Sequence, residues 1–363
     1  MPSWQAQEKE RIKMIKVGIF GGSGYMGGEV IRVLLDHPNT EIVWITSRGD
    51  KPVEYFHRNL IGQNLKFIKP EKTTKCDVVF VALPTGQIMK TAPKLLESGT
   101  KIIDLGADFR LKNRTIWEEI YGKMHENWNL AEEAVYGITE LHKTEIRQAR
   151  IVANPGCYSS ASILALAPLV RDSIIDTRHI VIDGLSGTAG VGAEPDLPSH
   201  HPEITNNIVP YNVIDHRHTY EIEQELQNLS ESRVTVHFTT SYVPISRGIL
   251  SICHCFPKQK INRSEMIEMY KEFYKDEQFI KIIDFQKEEN VPWQYLPYPW
   301  VAAVSGSNYC HIGLDIDEKR NRIVVFSVLD SIGKGGAQVG IQNMNLMFNL
   351  PEETGLRRTG LHP

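Results

Sequence analysis

Ile15-Lys16-Val17-Gly18-Ile19-Phe20-Gly21-Gly22-Ser23-Gly24-Tyr25-Met26-Gly27-Gly28 is the stretch on which the fold turns. Ile15–Phe20 reads as a short apolar strand. Gly21, Gly24 and Gly27 follow, spaced three apart. Tyr25 to Leu35 then reads as a helix that stops near His37-Pro38. Glycines at a strand-to-helix junction allow a tight turn and close approach of a ligand to the backbone. The helix start also offers unpaired N–H groups to a pyrophosphate. The stretch therefore predicts a dinucleotide cradle, with Gly21, Ser23, Gly24, Tyr25, Met26 and Gly27 as its contacts.

Strand and helix signals keep alternating beyond it. Glu41–Thr46, Val78–Leu83, Lys101–Leu105 and Ile151–Ala153 read as strands, and Ile88–Leu96 as a helix closed by Gly99. Such alternation implies parallel βαβ units in a doubly wound sheet. From residue 156 the pattern changes. Ser159–Val170 is a small-residue helix. His179–Leu185, Arg233–Thr240, Ile249–Phe256, His311–Ile316 and Ile323–Leu329 are strand-like, several of them alternating in polarity. That reads as a mixed or antiparallel sheet in an α+β unit. Ala337–Met347 is helical again. The fold class is α/β, a parallel-sheet dinucleotide-binding unit followed by an α+β unit. The expected divisions are a tail at 1–13, a dinucleotide unit at 14–155, an α+β unit at 156–334, and a closing helix and tail at 335–363. Asn290–Trp300, with Trp293 and Trp300, reads as an ordered proline-rich loop.

A chain of 363 residues gives a prior of about two domains at ~150 residues each, in keeping with this division. The formal net charge is −4, which weighs against nucleic acid or an anionic membrane as partner. No apolar run approaches the ~20 residues needed to span a bilayer. Five cysteines are few and odd in number, so a reducing compartment, the cytoplasm, is expected.

Three further features carry chemistry. Thr46-Ser47-Arg48 stands where a site for the unphosphorylated dinucleotide usually has an acidic residue. Ser47 and Arg48 suit a 2′-phosphate, so NADPH is the expected cofactor. Asn154-Pro155-Gly156-Cys157-Tyr158 joins a strand to a helix. A helix start lowers a thiol pKa and supplies N–H groups to an oxyanion, although a small buried packing cysteine fits the position equally. His216-Arg217-His218-Thr219 opens a helix-like run over Tyr220–Leu226. A nucleophilic cysteine commonly needs a histidine as base and later acid, and Arg217 offers a fork for an anion. Ser186–Gly192 is a second small-residue loop, open to close approach by a ligand or serving as a connector. His200-His201-Pro202-Glu203 lies in a polar loop without the further ligands a metal site needs. No metal is expected.

Together these motifs resemble the N-acetyl-γ-glutamyl-phosphate reductase family, relatives of aspartate-semialdehyde dehydrogenase. Asp104–Arg110 (D-L-G-A-D-F-R), Val243–Leu250 (V-P-I-S-R-G-I-L) and Gln342–Phe348 (Q-N-M-N-L-M-F) add to the likeness, which runs from Met14 to Leu356. The resemblance implies an N-terminal Rossmann domain, a C-terminal α+β domain, a last helix returning to the first domain, NADPH, and a homo-oligomer. It implies Cys157 as nucleophile and His218 as acid/base with His216 beside it. It also implies Ser186, Gly187 and Gly190 as second-loop cofactor contacts, Asn343 near the nicotinamide, and Arg110 and Arg247 as anion or structural anchors. Arg110, Arg217, His200, His201 and Glu221 are the expected substrate contacts.

The family motif His-Thr-Pro-Glu reads His218-Thr219-Tyr220-Glu221 here. With the loop from Ala193 to Glu203, this favours a branch that reduces an aminoadipyl or glutamyl phosphate held on a small acidic amino-group carrier protein. The arginine-pathway N-acetylglutamyl phosphate is the alternative. Aspartate-semialdehyde dehydrogenase fits the Asp104–Arg110 and His216–Thr219 motifs less well. A non-catalytic NADPH-binding regulator would need neither the cysteine nor the histidines.

Overall fold

The computed structural model describes residues 14–194, 196–285 and 298–362. The expected Met1–Lys13 tail, Pro195 and most of the Asn290–Trp300 loop, with Trp293, lie outside them. Among the described residues no helix is long and apolar enough to cross a membrane.

The first sheet consists of β1 (Ile15–Phe20), β2 (Thr40–Ile45), β3 (Val78–Val81), β4 (Lys101–Asp104), β5 (Val135–Tyr136) and β6 (Ile151–Ala153), in the order β2-β1-β3-β4-β6-β5. All its pairings are parallel. Its strands are near-continuous apolar runs because both faces are covered. Val78 and Phe80 pack with Val30 and Ile341 on one side. Val79 and Val81 pack with Trp44 and Trp117 on the other. The closing helix, Gln338–Met347, is buried on every side, and its Ile341 and Met344 join the core around β1. The end of the chain thus completes the first unit.

The second sheet consists of β7 (Ile180–Ser186), β8 (Val209–Tyr211), β9 (Val236–Tyr242), β10 (Ile249–Cys255), β11 (Ile280–Ile282), β12 (Cys310–Asp317) and β13 (Arg322–Leu329), in the order β11-β12-β13-β10-β7-β9-β8. It is mixed: β7 runs parallel to β9 and β11 to β12, while the other pairings are antiparallel. β7 and β10 alternate strictly between buried and half-buried positions. One face of this sheet therefore packs on the Cys157–Arg171 and Arg263–Phe273 helices, where Ile182, Cys253, Leu164 and Met266 share a core.

The architecture is the expected α/β class. Three short strands, β5, β8 and β11, carry too few residues to show a periodicity in the sequence. The helix expected from Ser159 begins at Cys157, and β9 begins at Val236, three residues after the expected Arg233.

Candidate active site

The glycine loop leaves the end of β1 as its spacing requires. Gly21 has φ +76°, and a Cβ there would lie 2.1 Å from Ala82 O. A Cβ on Gly27 would lie 2.5 Å from Gly21 O, so the helix packs directly on the turn. Gly24 differs: a Cβ there would meet nothing closer than 3.8 Å. The space above Gly24 is open, and no side chain caps the Tyr25–Leu34 helix. An open cradle facing uncapped first-turn amides fits a pyrophosphate. Just past β2, Ser47 is buried and Arg48 exposed, two residues on from Thr46, whose carbonyl accepts the Gly22 N–H at 2.9 Å.

Cys157 is the first residue of its helix, with Gly156 as N-cap. It is half-buried, whereas Cys76, Cys253, Cys255 and Cys310 are buried. Burial pushes the Cys157 thiol up to about 11, against the Tyr158 N–H, Arg217 and Arg110, which act to lower it. This corrects the expectation of a lowered thiol pKa. The helix start does favour the thiolate, but desolvation outweighs it.

His218 opens the helix His218–Gln227. Its ring lies so close to Gly156 that a Cβ there would sit 2.4 Å from Nε2. Among the described residues its Nδ1 has no hydrogen-bond partner. His216 stands 4.8 Å away, ring centre to ring centre, and its Nδ1 accepts the His218 backbone N–H at 3.2 Å. Burial, with Arg217 adding to it, holds His216 down at about 4. Burial again, then His216, Arg217 and Arg110, hold His218 well below the usual imidazole range. Both imidazoles are therefore neutral near pH 7 and keep a lone pair that can take a proton.

Behind them lies Glu221, fully buried. Its Oε2 accepts the Gly156 N–H at 3.0 Å and the Tyr136 hydroxyl at 2.6 Å. Its Oε1 accepts from Arg110 Nη1 at 3.1 Å and lies 3.9 Å from His218 Nε2. Arg110 also donates to Asn154 O and Leu105 O. Glu221, expected to contact substrate, is buried away from both cavities at the thiol, and Arg110, expected as an anion or structural anchor, is its partner. Arg110 reaches the cavity wall with three of its five N–H donors engaged by protein; Glu221 lines neither cavity. Their partners make them the frame that holds the Asn154–Gly156 turn.

Two small cavities meet at the thiol. One, of about 170 Å³, is lined by Tyr25, Met26, Cys157 and Gly335 and opens on the glycine loop. The other, of about 240 Å³, is lined by Cys157, His216, Tyr211, Asn212 and Tyr242. Cys157, Gly190, Arg217 and His218 line both. Arg217 is exposed, and no carboxylate pairs with it among the described residues. It is the cation best placed for an anionic group.

The remaining expected contacts fall outside this junction or partly so. Ser186 lines the second cavity, but its hydroxyl donates to Gly187 O at 2.8 Å. Gly187 packs against Ile245 O and Ser246 O. His200 and His201 line an open groove of about 510 Å³ that Cys157 does not line but that adjoins the first cavity, sharing Tyr25, Ala189, Gly192 and Ile332 with it. Asn343 is fully buried; its amide donates to Gly137 O and accepts from Thr139 Oγ1. It does not line the first cavity. Sequence reasoning missed Tyr136, Tyr211 and Tyr242. Tyr211 and Tyr242 stack at 3.8 Å from strands β8 and β9, and no local motif marks either one.

The fold and the cysteine–histidine junction place the chain among the semialdehyde dehydrogenases. Residues 16–149 match the family described as semialdehyde dehydrogenase, NAD binding domain, and residues 157–331 match its dimerisation domain. Solved structures agree at the level of fold. Aspartate semialdehyde dehydrogenase II from Vibrio cholerae, complexed with ASA, gives a TM-score of 0.67 at 18% identity, covering 93% of this chain and 99% of that one. The Candida albicans enzyme with NADP gives 0.64 at 16%, with the same coverage.

Full-length relatives narrow the class. The N-acetyl-gamma-glutamyl-phosphate reductase of Archaeoglobus fulgidus is 42% identical over 96% of this chain and all of its own length. Those of Methanosarcina acetivorans (43%, over 94% of this chain and 98% of that one) and Acetivibrio thermocellus (40%, over 96% and 100%) are similar. The chain belongs to the N-acetyl-γ-glutamyl-phosphate reductase family and is an oxidoreductase of the semialdehyde dehydrogenase type.

Proposed function

We propose that the chain reduces N-acetyl-γ-glutamyl phosphate to its semialdehyde with NADPH, releasing phosphate, as a step toward arginine. The supporting observation is the position of Cys157 between two cavities, one facing the glycine loop and one lined by His216 and Tyr211. Cys157 Sγ attacks the acyl-phosphate carbonyl, the carbon–oxygen bond to phosphate breaks, and a thioester remains. The neutral His218 takes the thiol proton. Glu221 Oε1, 3.9 Å away, favours the resulting imidazolium. Arg217 attracts the departing phosphate. The Gly21–Gly27 loop would hold the dinucleotide, which would supply a hydride for the thioester carbon. The tetrahedral oxyanion then collapses to the semialdehyde, the carbon–sulfur bond breaks, and His218 returns its proton to Sγ, regenerating the Cys157 thiol. N–H groups at the start of the Cys157 helix steady the oxyanion, where one such donor is worth ~3 kcal/mol of barrier.

Ser47 and Arg48 at the end of β2 support NADPH over NADH. The dimerisation description of residues 157–331 supports a homo-oligomer. The carrier-linked branch, favoured on loop sequence, gives way to the acetylated substrate. Relatives at about 40% identity over nearly the whole chain carry the N-acetyl name.

The reverse reaction tests this reading, with NADP⁺ and phosphate on free N-acetylglutamate semialdehyde and on a carrier-bound aminoadipate semialdehyde. Turnover of the free compound is expected, and activity on the carrier-bound one alone overturns the choice. Cys157→Ser should bind NADPH normally and lose reduction; normal turnover in it would sink the thioester route.

A further inference from the structure

Arg247 joins the two walls of the cleft between the glycine loop and the Ser186–Gly192 loop. Its Nε donates to Asp330 Oδ2 at 2.8 Å and its Nη1 to Glu29 Oε2 at 3.2 Å. Glu29 sits in the helix that follows the glycine loop and is almost fully buried. Arg32 grips the same carboxylate through two donors, at 2.7 and 3.0 Å, and Gln338 adds a third contact at 2.9 Å. Asp330 Oδ1 in turn accepts the Ile332 and Gly333 N–H groups, which lead into the closing helix. Two acids and two guanidiniums balance in charge, so the cluster is internally paired.

The backbone around Arg247 carries the opposite wall. Gly187 N–H donates to Gly248 O at 2.9 Å, Thr188 N–H to Ile245 O at 3.0 Å, and Ala189 N–H to Ser246 O at 2.8 Å. The small-residue loop therefore rests on the Ile245–Gly248 turn, and its Ala189 and Gly190 face Tyr25 and Met26 across the 170 Å³ cavity. A side chain anchored to the glycine-loop helix at one end, on a turn that supports the facing loop, fixes the distance between the two.

We propose that Arg247 is the positioning residue that sets the width of the dinucleotide cleft, through its fork on Glu29 and the turn beneath Gly187–Ala189. It touches neither thiol nor imidazole, so its effect falls on dinucleotide binding and hydride delivery and spares acylation of Cys157. Lysine keeps the charge but cannot hold two acids in one plane. This assignment rests on the reductase reading above for its second half; the binding half stands by itself.

The full-length chain with Arg247→Lys, Arg247→Gln or Glu29→Gln tests it. Titration with NADPH, and NADH in parallel, gives the dissociation constant. Phosphate release from N-acetyl-γ-glutamyl phosphate without dinucleotide gives the acylation burst. Iodoacetamide reports the Cys157 environment. Each variant should weaken dinucleotide binding by at least about tenfold, the scale of a small misplacement, with the burst and the alkylation rate unchanged. In the double variant Arg247→Gln/Glu29→Gln the loss should be smaller than the sum of the two single losses, as residues that share a contact require. Wild-type binding in Arg247→Lys and Glu29→Gln, or equal loss of binding, burst and alkylation, overturns the assignment. A wild-type chain that binds NADPH yet gives no burst refutes the reductase reading and leaves the binding comparison valid.

Discussion

Glu221 Oε2 accepts the backbone N–H of Gly156 at 3.0 Å, across 65 residues of chain. One buried carboxylate thus holds the residue before the nucleophile and sits on the same helix as His218. It is also paired with Arg110, itself buried. Glu221→Ala would leave that guanidinium without its counter-charge, and breaking a buried pair this way costs about 3–5 kcal/mol. Urea unfolding should show a loss of that size. Glu221→Gln, which still accepts the Gly156 N–H, should lose less.

The thiol of Cys157 is held up at about 11 by burial. Its thiolate fraction therefore grows through the whole neutral and mildly alkaline range. Alkylation by iodoacetamide should rise about tenfold per pH unit from pH 7 toward 10. An inflection near pH 6–7 would mean that the helix start outweighs burial after all. Cys157 should still react first, since the other four cysteines are buried.

Much of this site was readable where the physics is local. Gly21 and Gly27 announce themselves because a positive φ and a packed turn exclude any side chain. Cys157 was legible to within two residues of its helix start. Long-range partners were not. Nothing in the sequence pairs Arg110 with Glu221, 111 positions away; the family likeness marks Arg110 as an anion or structural anchor without naming its partner. The rise of the Cys157 thiol depends on how much protein surrounds it, and the partners of Asn343, Gly137 and Thr139, lie 206 and 204 positions away. Burial and cross-chain pairing are set by packing, which a motif does not carry.

Glu29 should make the protein sensitive to acid in a defined window. Burial alone would raise its carboxyl, but Arg32 and Arg247 overcome this and hold it at about 2, from an ordinary 4.5. A depressed carboxyl stabilises the fold above the unfolded value and loses that contribution as pH falls. The term, on the order of 3 kcal/mol, is full above about pH 5 and fades from about 4.5 toward 2. Glu29→Gln should be less stable than wild type in urea at pH 7, and the gap should narrow at pH 3. A gap that stays constant across that range would show that the charge of Glu29 contributes nothing.

Lys334 and Glu140 form a second buried pair, at 2.5 Å, with each side chain 1% exposed. Glu140 belongs to the helix Thr139–Gln148 of the first unit, and Lys334 to the π-helical turn Gly333–Ala337 that leads into the closing helix. Lys334 Nζ also donates to Gln342 Oε1 at 2.6 Å, inside that helix. The pair fastens the returning end of the chain to the Rossmann unit. Lys334→Met leaves Glu140 buried without its cation, and a loss of about 3–5 kcal/mol is expected. The double variant Lys334→Met/Glu140→Leu removes both charges and should recover most of the loss, because desolvation no longer opposes packing. Urea unfolding of the two variants separates the possibilities. A double variant as unstable as Lys334→Met would show that the pair gains more from its own attraction than its burial costs.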